Sequence, residues 1–145
     1  MIQYPLSFQV EAQTEAGIQQ TWQTQTLGTG DSLRAAIPPE FQGPGGGYSP
    51  EDFYALALAN CFVATFKVFA EKSKLAFSSL KISLKLEVDR NEKGAPWMSR
   101  AHLQAHLKGV ESEERALHLL QKTSQSCLVL NSVKTEKSFD FQVEA

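Results

Sequence analysis

The chain has 145 residues, a formal net charge of -2, 42% hydrophobic and 21% charged residues, which is enough for one domain with its own core, residues 1–145. Acidic and basic residues are mixed, so there is no basic block to hold nucleic acid or an anionic membrane. The first residues, Met-Ile-Gln-Tyr-Pro-Leu-Ser-Phe, lack a basic stretch followed by an apolar one, and the apolar run Phe53 to Phe66 is short for a bilayer and holds Asn60. The expectation is a cytoplasmic protein without a membrane span.

Residues 4–11 and 18–26 read as strands around Glu15-Ala16-Gly17, and Leu33 to Ile37 as a third. Short strands with glycine turns predict an antiparallel meander. Pro38 to Gly47 holds three prolines and four glycines and breaks regular structure. Ser49-Pro50-Glu51-Asp52 then restarts the chain as a helix, with Ser49 as N-cap, Pro50 at the first helical position and Asp52 as the capping-box acid. This helix should reach about Lys72. Phe53, Leu56, Ala57, Asn60, Cys61, Ala64 and Val68 share one face, while Leu58, Phe62, Phe66 and Phe69 cover others. A helix apolar all round must be covered on several sides. In so small a protein, a partner subunit is the natural cover.

From residue 80 to 88, Leu80, Ile82, Leu84, Leu86 and Val88 alternate with polar residues, the mark of a strand with one wet face. Trp97 to Lys108 alternates again, with Ala101, Leu103, Ala105 and Leu107 inward, so the two predict a hairpin. Ser112 caps a second helix with Glu113 and Glu114 in its first turn and Leu117, Leu120 and Thr123 or Ser124 inward. It should end near Ser126-Cys127. A last strand, Lys134 to Val143, puts Phe139, Phe141 and Val143 on one face. The order β-β-β-α-β-β-α-β is that of an α+β fold.

Chemistry centres on the two cysteines, Cys61 and Cys127. Both sit among apolar and small residues, which suits plain core thiols. They also suit a reactive dithiol, in which one thiolate attacks and the other closes a disulfide. Cys61 lies too far into its helix to be stabilised by the N-terminal dipole. Glu51 complements that dipole, but ten residues of helix, about 15 Å, separate it from Cys61. If both serve one site, Glu51 comes from a second subunit. His102 and His106 lie on the wet face of a strand with no third ligand nearby in sequence, and His118 reads as a surface residue of the second helix, so no metal is expected. Gly45-Gly46-Gly47 precedes a helix but lacks the lysine of a phosphate-binding loop.

Pro39-Glu40-Phe41-x-Gly43-x-Gly45-Gly46, Ser49-Pro50-Glu51-Asp52-Phe53 and Ala59-Asn60-Cys61-Phe62 together resemble the first cysteine motif of the OsmC/Ohr proteins (osmotically induced protein C and organic hydroperoxide resistance protein). Ser126-Cys127-Leu128-Val129-Leu130-Asn131-Ser132-Val133 is similar to the second. The resemblance spans essentially the whole chain. It implies an intertwined homodimer with two central helices back to back, and a thiol-dependent peroxidase of organic hydroperoxides. It further implies that Cys61 is the peroxidatic thiol, Cys127 the resolving thiol and Glu51 the acid that orients a catalytic arginine. No cofactor is implied beyond an external dithiol reductant. The chain departs from the family at one point. Residues 1–30 contain no Arg or Lys, and Arg34 is the only arginine before Cys61. A cation missing beside a buried thiol raises its pKa. The alternative is therefore a weakly active or non-catalytic member that binds an apolar small molecule in the dimer cleft.

Overall fold

The computed structural model describes residues 1–145, which group into two compact units, Met1–Phe53 and Tyr54–Ala145. The order is β1 (Val10–Gln13), β2 (Trp22–Thr26), β3 (Ser32–Ala35), a 3-10 turn (Pro39–Phe41), α1 (Pro50–Lys72), β4 (Ser79–Arg90), β5 (Pro96–Lys108), α2 (Glu113–Ser126), α3 (Leu128–Asn131) and β6 (Glu136–Glu144). This is the expected α+β order, with one short helix, α3, inserted after Cys127.

In the first unit, β1, β2 and β3 form the expected antiparallel meander, with Val10 opposite Thr26 and Trp22 opposite Ala35. The strands are shorter than the alternation suggests. Residues 4–8 stay outside the ladder, whose outermost bond is Leu27 N–H donating to Gln9 C=O at 3.2 Å, just past the Val10–Thr26 pair. Residues 18–21 stay outside too, because Gln20 N–H donates to Gly17 C=O at 3.1 Å and turns the chain just before Trp22. The glycine-rich bend is tight as well as flexible: a Cβ on Gly43 would meet the Ile37 carbonyl oxygen at 2.1 Å, and Gly46 takes φ +80. It delivers the chain to a complete capping box. Asp52 N–H donates to Ser49 Oγ at 3.0 Å, and Ser49 N–H donates to the Asp52 carboxylate at 2.9 Å.

The second unit is built on the sheet β4-β5-β6. β4 and β5 form the expected hairpin, with Leu84 opposite Leu103, and a register shift at Glu87/Val88 leaves Val88 at 39% exposure rather than inward. β6 runs parallel to β5, with Phe139 opposite Leu103 and Phe141 opposite Ala105. A parallel neighbour requires a crossover, and α2 supplies it. Ala101, Leu103, Ala105 and Leu107 on the central strand are buried with Leu58, Phe62, Phe66 and Ala70 of α1 in one core. The Phe62 ring lies tilted against two rings of β6, its centroid 6.4 Å from that of Phe139 and 6.1 Å from that of Phe141. Gly109 leaves β5 at φ +75, where a Cβ would collide with Ser78 Oγ at 1.9 Å.

α2 starts as expected, with Ser112 Oγ accepting from Arg115 N–H. Its inward face is Ala116, Leu119, Leu120 and Thr123, so Leu117 points outward, a quarter turn off the expected stripe. α1 is 23 residues long and, by length and mean hydropathy (1.6), could cross a membrane. The apolar run thus extends well past Phe66. Its Leu58, Phe62, Phe66 and Ala70 face is nevertheless packed on the sheet as a core helix. The opposite face, with Leu56 at 42% and Val68 at 50% exposure, is open, and Ala57, Asn60 and Ala64 on it are exposed as well.

Candidate functional site

Both thiols belong to the second unit, and both are free. Cys61 sits in the middle of α1 at the border between its packed and open faces and is half-buried. Cys127 ends α2 and begins α3 with an extended backbone and is completely buried. That junction turns Cys127 inward and places the first amides of α3 beside α1. Val129 N–H donates to Cys61 Sγ at 3.3 Å. The Cys127 thiol lies near enough to the Cys61 sulfur, and to Thr65 one helical turn beyond it, for both to act on its ionisation. Two cysteines 66 residues apart in sequence are therefore side by side.

The two sulfurs differ in their surroundings. Burial pushes the Cys127 thiol up to about 12, with the Thr65 hydroxyl pulling the other way and the charge and hydrogen bond of Cys61 adding to the rise. Cys127 is thus a neutral thiol at physiological pH. Cys61 is the sulfur with access to solvent, and it has a backbone donor aimed at it. The arrangement can present one thiolate to an incoming electrophile and hold a second thiol in reserve for disulfide exchange.

The remaining expected residues are placed as follows. Glu51 lies in the first turn of α1, in the first unit, and its Oε1 is buried with no hydrogen-bond partner. An orphaned buried carboxylate oxygen is rare and asks for a donor. Arg34 lies in the same unit on β3, exposed, opposite Gln23, with its carbonyl accepting from Tyr48 N–H at 2.9 Å. His102 Nδ1 bonds Ser138 Oγ at 2.6 Å and His106 Nε2 bonds the Glu144 carboxylate at 2.6 Å, both across to β6 on the wet face. His118 is exposed on α2, and no three His, Cys, Asp or Glu side chains gather into a group able to hold a metal.

Sequence reasoning passed over Thr65 and the Val129 amide. The first had a usable signal, since position 65 is four residues after Cys61 and so shares its side of the helix. The second had none, because it depends on the four-residue helix after Cys127.

The profile of a family described as OsmC-like protein matches residues 43–142. None of the curated proteins matches the chain. Among solved structures, it is similar to an OsmC-like protein of unknown function from Vibrio cholerae, with TM-score 0.82 and 16% identity over 94% of this chain and 99% of that one. It is similar to an organic hydroperoxide resistance protein OsmC from Legionella pneumophila, with TM-score 0.76 and 20% identity over 99% and 100%. It is also similar to an organic hydroperoxide resistance protein of Bacillus subtilis, with TM-score 0.70 and 15% identity over 95% and 98%.

Proposed function

The chain belongs to the OsmC-like protein family, and on that premise we propose that it is a thiol-dependent peroxidase that reduces organic hydroperoxides through Cys61 and Cys127. The observation that carries this reading is the pairing of a half-buried Cys61, accepting a hydrogen bond from Val129 N–H, with a fully buried Cys127 beside it. Inert core thiols have no need of such asymmetry.

In the proposed cycle the Cys61 thiolate attacks the terminal oxygen of the hydroperoxide. The O–O bond breaks, the alkoxide leaves and takes a proton as the alcohol, and Cys61 becomes a sulfenic acid. Cys127 then attacks that sulfur, the S–O bond breaks, and the thiol proton leaves with the hydroxyl as water. An external dithiol reduces the disulfide and is itself oxidised. It would attack the Cys61 sulfur, since Cys127 is closed to solvent.

The proposal includes a homodimer. OsmC/Ohr family proteins are known as dimers, and the open apolar face of α1, with Leu56 and Val68, is suited to a second copy of the same helix. Residues 1–145 would then act as one OsmC-like domain per subunit. Unbroken helix between Glu51 and Cys61 supports an acid supplied by the partner, and Arg34, in the same unit as Glu51, is the arginine we assign to accompany it. Replacing Val68 by glutamate puts a charge into that face. Sedimentation should show a dimer for the native chain and a monomer, or a dissociation constant raised at least ~100-fold, for Val68→Glu. An unchanged dimer would place the interface elsewhere.

A second reading, a non-catalytic or weakly active member that binds an apolar small molecule, is favoured by the lack of Arg and Lys in residues 1–30. One assay separates the two. Cumene hydroperoxide and dihydrolipoamide are mixed with the protein and consumption is followed. Turnover is expected. No consumption, with Cys61 still reduced after stoichiometric peroxide, would leave the second reading. A cytoplasmic location, where a dithiol pool keeps both cysteines reduced between turnovers, completes the proposal.

A further inference from the structure

We propose that Tyr54 and Thr135 are a positioning pair for disulfide closure: the bond between their hydroxyls fixes the chain from Cys127 to Thr135 along α1 and so keeps Cys127 in line with Cys61. This rests on the paired-thiol reading above. The two hydroxyl oxygens lie 2.5 Å apart, across 81 residues of sequence. Thr135 is 2% exposed and the tyrosine ring packs against the core, so the threonine hydroxyl has its partner in the phenol rather than in solvent. Tyr54 stands seven residues before Cys61, about 10 Å and two turns back on the same side of α1. At the Cys61 end, Val129 N–H donates to Cys61 Sγ at 3.3 Å. The segment that begins at Cys127 is therefore tied to one side of α1 at two points, with the buried Leu130 between them.

The backbone supplies no substitute for the second tie. α3 closes with Ser132 N–H donating to Val129 C=O at 3.0 Å, and β6 takes up its ladder only at Glu136, opposite Arg100. Residues 132–135 join helix to strand without a ladder of their own. The Lys137 ammonium donates to Val133 C=O at 3.1 Å, which links the join to β6 and not to α1. The two ties also act at different steps. The initial attack uses Cys61 with the Val129 amide on its sulfur. Once that sulfur carries a substituent it is neutral, and it accepts the amide hydrogen bond poorly. The Tyr54–Thr135 bond then holds the segment while Cys127 attacks. Closure needs the Cys127 sulfur in line with the bond that breaks, and a loose join spreads it over arrangements that do not react.

The test uses dithiobis(nitrobenzoate) and needs no peroxide. The Cys61 thiolate attacks the reagent's disulfide, that S–S bond breaks, and one thionitrobenzoate leaves while the other stays on Cys61. Cys127 then gives its proton to solvent and attacks the Cys61 sulfur, and the second thionitrobenzoate leaves as the Cys61–Cys127 bond forms. Stopped-flow absorbance reads the two releases separately on the full-length native chain, Tyr54→Phe, Thr135→Val, the double variant and Thr135→Ser. Tyr54→Phe and Thr135→Val should each slow the second release about three- to tenfold, with the first unchanged. The double variant should be no slower than either alone, because both substitutions remove the same bond. Thr135→Ser, which keeps the hydroxyl, should close at the native rate. A second release at the native rate in Tyr54→Phe overturns the pair. Equal slowing of both releases overturns it too, since that marks a general loosening of α1, and so does an additive double variant, which marks two separate packing effects. Release of a single equivalent by the native chain overturns it as well, because the sulfurs then do not exchange. A defect confined to the second release, without consumption of cumene hydroperoxide, upholds the pair and dismisses only the peroxidase reading.

Discussion

Replacing Cys61 by serine should lower hydroperoxide consumption by on the order of a thousandfold or more, because the hydroxyl cannot form a competent nucleophile near neutral pH. Cys127→Ser should behave differently. Its Cys61 retains the Val129 amide as donor, so the first attack proceeds, one equivalent of alcohol appears, and the sulfenic acid persists. Dimedone followed by mass spectrometry should label Cys61 in Cys127→Ser and give little label in the native chain, where closure removes the sulfenic acid. Steady turnover of Cys127→Ser at the native rate would mean that an external thiol resolves Cys61 directly, and the buried thiol would lose its assigned role. The pH dependence carries a sign of its own. A thiol pushed up to about 12 from 9.0 is neutral in the folded chain. Its burial contributes stability that is fully present below pH 9 and is lost as pH rises toward 12, so alkaline unfolding should be steeper in the native chain than in Cys127→Ser.

Phe62→Ala should cost about 3–5 kcal/mol of stability, the range for emptying a large aromatic site in a packed core. Phe62 is wholly buried, one residue after Cys61, and its ring meets both Phe139 and Phe141 of β6. β6 pairs with β5 in parallel, and α2 covers the connection between them. Removing the ring therefore loosens α1 from the sheet strand formed last in the chain. Urea unfolding at matched protein concentration measures the loss, since a dimer's stability depends on concentration. A change below about 1 kcal/mol would mean that Phe139 and Phe141 close the cavity by themselves. The same variant should reduce the rate of disulfide formation, because the turn of α1 that carries Cys61 is anchored through this ring.

Local patterns were enough for most elements of the fold. The Ser49-Pro50-Glu51-Asp52 start of α1 follows from helix capping, which depends on neighbours within four residues. The β4–β5 hairpin follows from strict alternation, and the inward set Ala101, Leu103, Ala105 and Leu107 is the buried set. Periodicity could not place Leu117, because Leu117, Leu119 and Leu120 are close together on α2 and only the sheet beneath determines which of them points inward. It also could not give the end of β1, which is set by its pairing with β2.

Residue type and context pointed to Cys61 and Cys127, and the chain alone thereby named the two atoms at the centre of the proposed chemistry. Their contact was decided in three dimensions. It requires the parallel return of β6, the junction of α2 and α3 that turns Cys127 inward, and the Val129 amide that this junction presents to Cys61. Composition and spacing carry the identity of reactive groups because these are properties of single residues. Exposure, hydrogen-bond partners and the resulting difference between two identical thiols are properties of packing, and packing joins residues that are far apart along the chain.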